Sequence, residues 1–231
     1  MFFSKLITRV SAIAVASAVS FFGATAKAGS VDLCGGAAGW RAIWDVSLDP
    51  YVQIIASDCS QLANGNVFIQ KSAEFTQAPV NGVFPAIPIV FMQTGPTNVS
   101  HIVIDDEIIT NSTGSPWTDF HFDLLDSGDA VFNPASTAAS GGGGPIGFSI
   151  SPFTVAVFAN ANTRLDISGG VVPNGGIWFP GDGATDGQLW IDVNPRTSAP
   201  FTTFTLKETP TPEPTTLALL AIGGLLMRRR R

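Results

Sequence analysis

The chain is short of charge, and of positive charge in particular. Asp, Glu, Lys and Arg make up 13% of its 231 residues, where about a quarter is usual. Between Lys71 and Arg164 there is no basic residue at all. Nucleic acid and anionic membrane surfaces both require a dense basic footprint, so neither is expected as a partner. Cysteine is scarce: there are two, Cys34 and Cys59, without a Cys-x-x-Cys spacing that would suit redox chemistry. His101 and His121 are the only histidines, and no His-Glu-x-x-His or other zinc spacing occurs. There is no Gly-x-Ser-x-Gly to place a nucleophile on an elbow. No central segment carries a long helical stripe, and no apolar run reaches the roughly 20 residues that span a bilayer as a helix.

What is present starts at the two ends. Lys5 and Arg9 precede a largely apolar stretch from Val10 to Phe22, and Ala26-Lys27-Ala28 follows with small residues at the spacing that signal peptidase cuts. Residues 1–28 therefore read as a signal peptide with a helical apolar region, and Gly29 as the first mature residue. At the other end an apolar run from Leu217 to Met227 is about half the length of a full span. Arg228, Arg229, Arg230 and Arg231 follow at once, and a positive cluster there holds the end of the chain on the cytoplasmic side. Pro210, Pro212 and Pro214 rule out a helix just upstream and predict an extended, accessible stretch over Thr209 to Thr215.

This order of parts, Pro212-Glu213-Pro214, then a short hydrophobic helix with Gly223 and Gly224, then the arginine cluster, resembles the PEP-CTERM sorting signal. The resemblance covers about the last twenty residues, and residues 209–231 are assigned to it. It implies recognition by an exosortase, a polytopic membrane protease of bacteria that make extracellular polysaccharide. It further implies transient insertion in the inner membrane, cleavage near Pro-Glu-Pro, and release to the cell surface or an extracellular, biofilm-type matrix. The segment Asn111, Thr113, Gly114, Trp117, Asp119, Phe120 and His121 is also similar to one in many PEP-CTERM ectodomains. Such a signal specifies a route and leaves the cargo's activity open.

Removal of both ends leaves five basic residues, Arg41, Lys71, Arg164, Arg196 and Lys207, against 17 acidic ones, a net charge near −12. Cys34 and Cys59 both lie in the exported part and are expected to form a disulfide, which would contribute about 3 kcal/mol on the chain-entropy model. Residues 29–208 fit one all-β domain. Apolar and polar residues alternate in Phe120-His121-Phe122-Asp123-Leu124, in Phe204-Thr205-Leu206-Lys207, and in Leu189 to Val193 if Trp190 lies on a partly covered outer face. Further strands are expected at Trp40–Leu48, Val52–Ala56, Asn66–Phe75, Ile87–Gln93, Ser100–Thr110, Gly147–Phe158, Arg164–Val172 and Gly176–Phe179. Turn dipeptides such as Asn64-Gly65 and Asn81-Gly82 punctuate them. The expected fold is an antiparallel β-sandwich of jelly-roll or immunoglobulin-like topology, with a full barrel as the alternative. Val99 to Leu125 is expected to pair two strands about an Asn-Ser-Thr-Gly-Ser-Pro turn, and the glycines of Ser140 to Pro145 to form a flexible loop.

Candidate sites follow from residue chemistry. Asp105, Asp106 and Glu107 form an acidic run without a nearby cation, and hard oxygen ligands of this kind suit Ca²⁺. Asp182 and Asp186 open a loop that begins like an EF-hand but has Ala184 at its third position and Val193 at its twelfth. Solvated aspartates are the alternative at both places. Trp117, Trp178 and Trp190 stand beside or near aspartates and are the candidates for stacking on a sugar ring; core packing is the alternative for each. No catalytic constellation emerges. The expected role is a non-catalytic structural or interaction protein tied to extracellular polysaccharide, with a carbohydrate-binding module as the alternative.

Overall fold

The computed structural model describes residues 29–125, 128–181 and 186–212. The expected signal and sorting helices, together with Glu213, Pro214 and Arg228 to Arg231, lie outside the described residues.

Alternation of apolar and polar side chains builds two open sheets that face each other. Sheet A is formed by β1 (Gly29–Asp32), β2 (Trp40–Trp44), β5 (Ile87–Gln93), β13 (Thr203–Pro212), β7 (Trp117–Leu125), β10 (Arg164–Ser168) and β9 (Val155–Ala159), in that spatial order. Sheet B contains β3 (Val52–Asp58), β4 (Asn66–Phe75), β6 (His101–Asn111), β12 (Leu189–Val193) and β8 (Ala130–Phe132), while β11 (Ile177–Trp178) pairs with the far end of β6. The one α-helix among the described residues, α1 (Pro134–Ala139), is a short turn capped by the Asn133 side chain. This is an all-β sandwich.

Sheet A is antiparallel throughout, but sheet B is mixed, because β4 and β6 run parallel over Asn66 to Phe75. The expected pairing of the strands around the Asn-Ser-Thr-Gly-Ser-Pro turn does not occur. Strand β6 lies in sheet B and β7 in sheet A, so the turn is an arch between sheets. A buried amide holds it in place. Asn111 Oδ1 accepts from the Thr113 N–H at 3.1 Å and its hydroxyl at 2.7 Å, while Nδ2 donates to the carbonyls of Ser115 and Val172.

Aromatic rings fill the space between sheets. Phe75 of sheet B meets Trp117 of sheet A edge-on at 5.3 Å, and Trp178 meets Phe120 at 5.0 Å. The disulfide forms as expected: Cys34 and Cys59 are bonded with their Cα atoms 5.8 Å apart, tying the turn after β1 to the end of β3. Within the glycine-rich loop Gly142 and Gly144 approach other backbone closely, while Gly141 and Gly143 face open space. A Cβ at Gly142 would lie 2.1 Å from the Asp186 carbonyl oxygen, and Gly142 donates its N–H to the Gly147 carbonyl.

The C-terminal strand extends past the expected domain limit. β13 pairs with β7 as far as Pro212, so Thr209 to Pro212 belong to the sheet and are not the accessible stretch that the prolines suggested. The prolines are tolerated because β5 pairs only with Thr203 to Glu208. Beyond Glu208 one flank of β13 is free, and a missing N–H there breaks no ladder bond.

Candidate functional site

Strand β4 alternates strictly. Val67, Ile69, Lys71, Ala73 and Phe75 face the core, which leaves Asn66, Phe68, Gln70, Ser72 and Glu74 on the outer face of sheet B. Across that face runs a groove formed by two adjoining depressions of about 110 and 400 Å³, which share Gln53, Ser72 and Ile108. Tyr51, Gln53 and Ile55 line it from the β3 side, Gln70, Ser72 and Glu74 from β4, and Asp106, Ile108 and Thr110 from β6. Amides, hydroxyls, one phenol and carboxylates alternate with aliphatic surface, and Lys71 borders the smaller depression with its side chain turned into the core.

Towards the other end of the same face, Phe68, Val103 and Trp190 stand in one row across β4, β6 and β12. Trp190 is half-buried and meets Phe68 edge-on at 6.0 Å and His101 at 5.6 Å. Its Nε1 has no hydrogen-bond partner among the described residues. In the next row His101 Nδ1 lies 2.9 Å from Asn66 Oδ1, and Nε2 lies 3.5 Å from Asp192 Oδ1. Asn133 Nδ2 donates to both Asp192 oxygens at 3.0 Å, and Gln188 Nε2 donates to Asp105 Oδ1 at 2.6 Å. Ser100 Oγ is also 3.2 Å from His101 Nδ1. Both contacts fall on the same ring nitrogen, and which partner donates depends on the tautomer. The contacts orient a partly exposed aromatic cluster within a polar surround.

The three expected sugar-stacking tryptophans separate. Trp190 takes the outer position that the alternation predicted. Trp117 and Trp178 do not: they are 0% and 1% exposed, so neither presents a face to a ligand. Trp178 is enclosed by Phe120, Phe122 and Phe153, and Trp117 donates Nε1 to Thr113 Oγ1 at 3.3 Å. The Asn-x-Thr-Gly…Trp pattern is thus a folding element built around the arch.

The acidic run does not converge on a cation. Opposite the irregularity between Ile69 and Gln70, Asp105 is an extra residue that bonds Gln188, and Asp106 lines the groove. Glu107 points into the core. Among the described residues no group of three or more His, Cys, Asp or Glu side chains is placed to hold a metal ion. Asp182 lies outside the described residues; the Asp186 carbonyl accepts from the Ser149 N–H at 2.7 Å. His121 is held by Asp166, which also accepts from Arg164.

One cluster was not anticipated. Lys71, Glu107 and Glu208 meet between the sheets with no exposed side-chain surface. Burial first, and then the neighbouring Glu208 carboxylate, push Glu107 up to about 8 against the pull of Lys71. The two carboxylates together hold the Lys71 ammonium above its ordinary value despite its burial. The signal was in the sequence: in the expected strand Asn66–Phe75, a period of two puts Lys71 among Val67, Ile69, Ala73 and Phe75.

Compared with protein-family models, with curated proteins and with solved structures, the chain matches none.

Proposed function

We propose that the chain is an exported, exosortase-processed protein of the cell surface or extracellular matrix, with a non-catalytic structural or interaction role linked to extracellular polysaccharide. The observation that carries this reading is the order in the tail of Pro212-Glu213-Pro214, a short apolar run and four arginines, together with an N-terminal export signal. The fold agrees with it in one respect. A cut after Pro212 would leave every strand whole over the described residues. A disulfide suits an oxidising compartment. The finer topology is proposed as a sandwich of the jelly-roll or immunoglobulin-like kind, flanked before processing by a signal helix and a sorting helix. The test is the intact mass of protein recovered from the surface and medium of the producing cell. A chain from Gly29 to the Pro-Glu-Pro region is expected; retention of Arg228 to Arg231 would overturn the processing step.

A second reading rests on the outer face of sheet B: a carbohydrate-binding module that uses Trp190 and Phe68 beside the groove lined by Gln53, Gln70 and Ser72. Half-exposed rings with amide and hydroxyl neighbours offer broad apolar contact and oriented hydrogen bonds to a neutral glycan. Glycan-array binding that is lost in Trp190→Ala with the fold intact would support it. Absence of binding to every polysaccharide tried would remove it.

A further inference from the structure

Three ionisable groups are closed into the sandwich at a single point. Lys71 of β4 and Glu107 of β6 are register partners on neighbouring parallel strands, with Lys71 Nζ in contact with Glu107 Oε1. From the opposite sheet Glu208 of β13 brings Oε1 to 2.6 Å from the same Nζ. The adjacent core positions on these strands, Ile69, Ala73, Ile109 and Leu206, are buried apolar side chains. No water-exposed surface relieves the charge.

As an ion pair this arrangement is poor. Two carboxylates face one ammonium, and each ion taken from water carries a desolvation penalty of several kcal/mol. Charge balance places a proton on one acid, and Glu107 is the acid pushed up to about 8, so at neutral pH it is mostly the neutral carboxylic acid. An amine, a neutral acid and a carboxylate that can accept a proton are then fixed in contact in a dry site. Held reactants of this kind behave as if at very high effective concentration.

We propose that Lys71 and Glu107 become joined by an intramolecular amide between Nζ and Cδ, formed in the folded chain with Glu208 as proton carrier. The Glu208 carboxylate takes one proton from the Lys71 ammonium, an uphill transfer because the neighbouring acids favour the charged amine. The freed amine attacks Cδ of the Glu107 acid, and the carbonyl electron pair moves to oxygen. Glu208 then passes its proton to the hydroxyl of the adduct and receives the second nitrogen proton. Water leaves, the carbonyl reforms, and Glu208 ends as a neutral acid beside a neutral amide. One C–N bond forms, one C–O bond breaks, one water is released, and nothing is oxidised or reduced. The buried charges are gone, and the parallel β4–β6 pair, the less stable kind of ladder, gains a covalent staple.

The experiment is mass spectrometry of the exported protein, reduced and denatured, with both termini established by peptide mapping. The expected mass is lower than that of the sequence by one water. Trypsin cuts after Lys71 only if its amine is free, so a linked chain yields a single Ala42–Arg164 fragment, again short by one water, in place of separate Ala42–Lys71 and Ser72–Arg164 fragments. Lys71→Arg should restore the full mass and the cut after residue 71. Glu208→Gln, which keeps the shape but removes the proton carrier, should leave most of the chain unlinked. Full mass in the unsubstituted protein, with cleavage after Lys71, would overturn the proposal. So would a water loss that maps to an Asp-Gly pair such as Asp186-Gly187, where a cyclic imide forms instead. Complete linkage in Glu208→Gln would overturn the role given to Glu208.

Discussion

Lys71 Nζ and Glu208 Oε1 lie 2.6 Å apart across the sandwich, joining β4 of one sheet to β13 of the other where neither side chain reaches solvent. Any acid that stays free in this site makes stability depend on pH. In chains without the amide, Glu107 is raised from 4.5 to about 8, mainly by burial. The folded state therefore holds a proton that the unfolded state releases. Its contribution is fully present below about pH 4.5 and is lost as pH rises through about 8. Thermal scans of unlinked chains should show Tm falling across that window.

Reduction of Cys34–Cys59, or its replacement by two serines, should cost about 3 kcal/mol, because the bridge closes a loop of 25 residues. Since β3 lies at the edge of sheet B, its amides should exchange first. Urea denaturation with and without reductant, followed by hydrogen exchange, measures both effects.

Asn111→Ala should destabilise the fold by about 1–3 kcal/mol, the cost of a buried donor left without its acceptor. That donor is the Thr113 N–H, bonded at 3.1 Å to Asn111 Oδ1. Asn111→Asp should not rescue, because it turns a donor facing the carbonyls of Ser115 and Val172 into an acceptor. The shift in the urea midpoint, followed by the fluorescence of buried Trp117, tests this.

Much of the secondary structure was legible. The bounds of β4, β5 and β12 coincide with those expected from alternation and turn residues. The arch between β6 and β7 was not, because a period of two says which residues face inward and is silent about which strand lies alongside. Trp117 shows the limit most clearly. Counting by twos from Phe120, Phe122 and Leu124 puts it on the outer face. An irregularity near the end of the β7–β13 ladder, where Asp119 pairs with Thr211 but Trp117 with Pro212, turns it inward. Of the proposed ligand face, the sequence disclosed Trp190; Phe68, His101 and Tyr51 join it only through cross-strand register and the groove.

Acid should weaken the fold at its margins. Asp32 is held below the ordinary carboxylate range by its bonds to Arg41, and Asp45 and Asp58 by bonds from Ser47 and Ser60. Depressed groups contribute stability above their unfolded value of 3.8, and it is lost as pH falls through their folded values. Denaturation midpoints should therefore decline below about pH 4, and Asp32→Asn should lessen the decline.

The two classes of tryptophan give the sharpest separation of fold from ligand binding. Trp117 is 0% exposed and packs on Phe75 and Phe120, so Trp117→Ala should cost about 3–5 kcal/mol through the cavity it leaves. Any loss of glycan binding in that variant should track the unfolded fraction and recover at temperatures where the chain is folded. Trp190 is half-buried on the outer face, so Trp190→Ala should cost less stability, about 1–2 kcal/mol. If sheet B carries the glycan, binding should vanish in Trp190→Ala while the denaturation curve stays cooperative. Isothermal titration beside urea denaturation of both variants reads the two quantities independently, and full binding by folded Trp190→Ala would move the ligand face elsewhere.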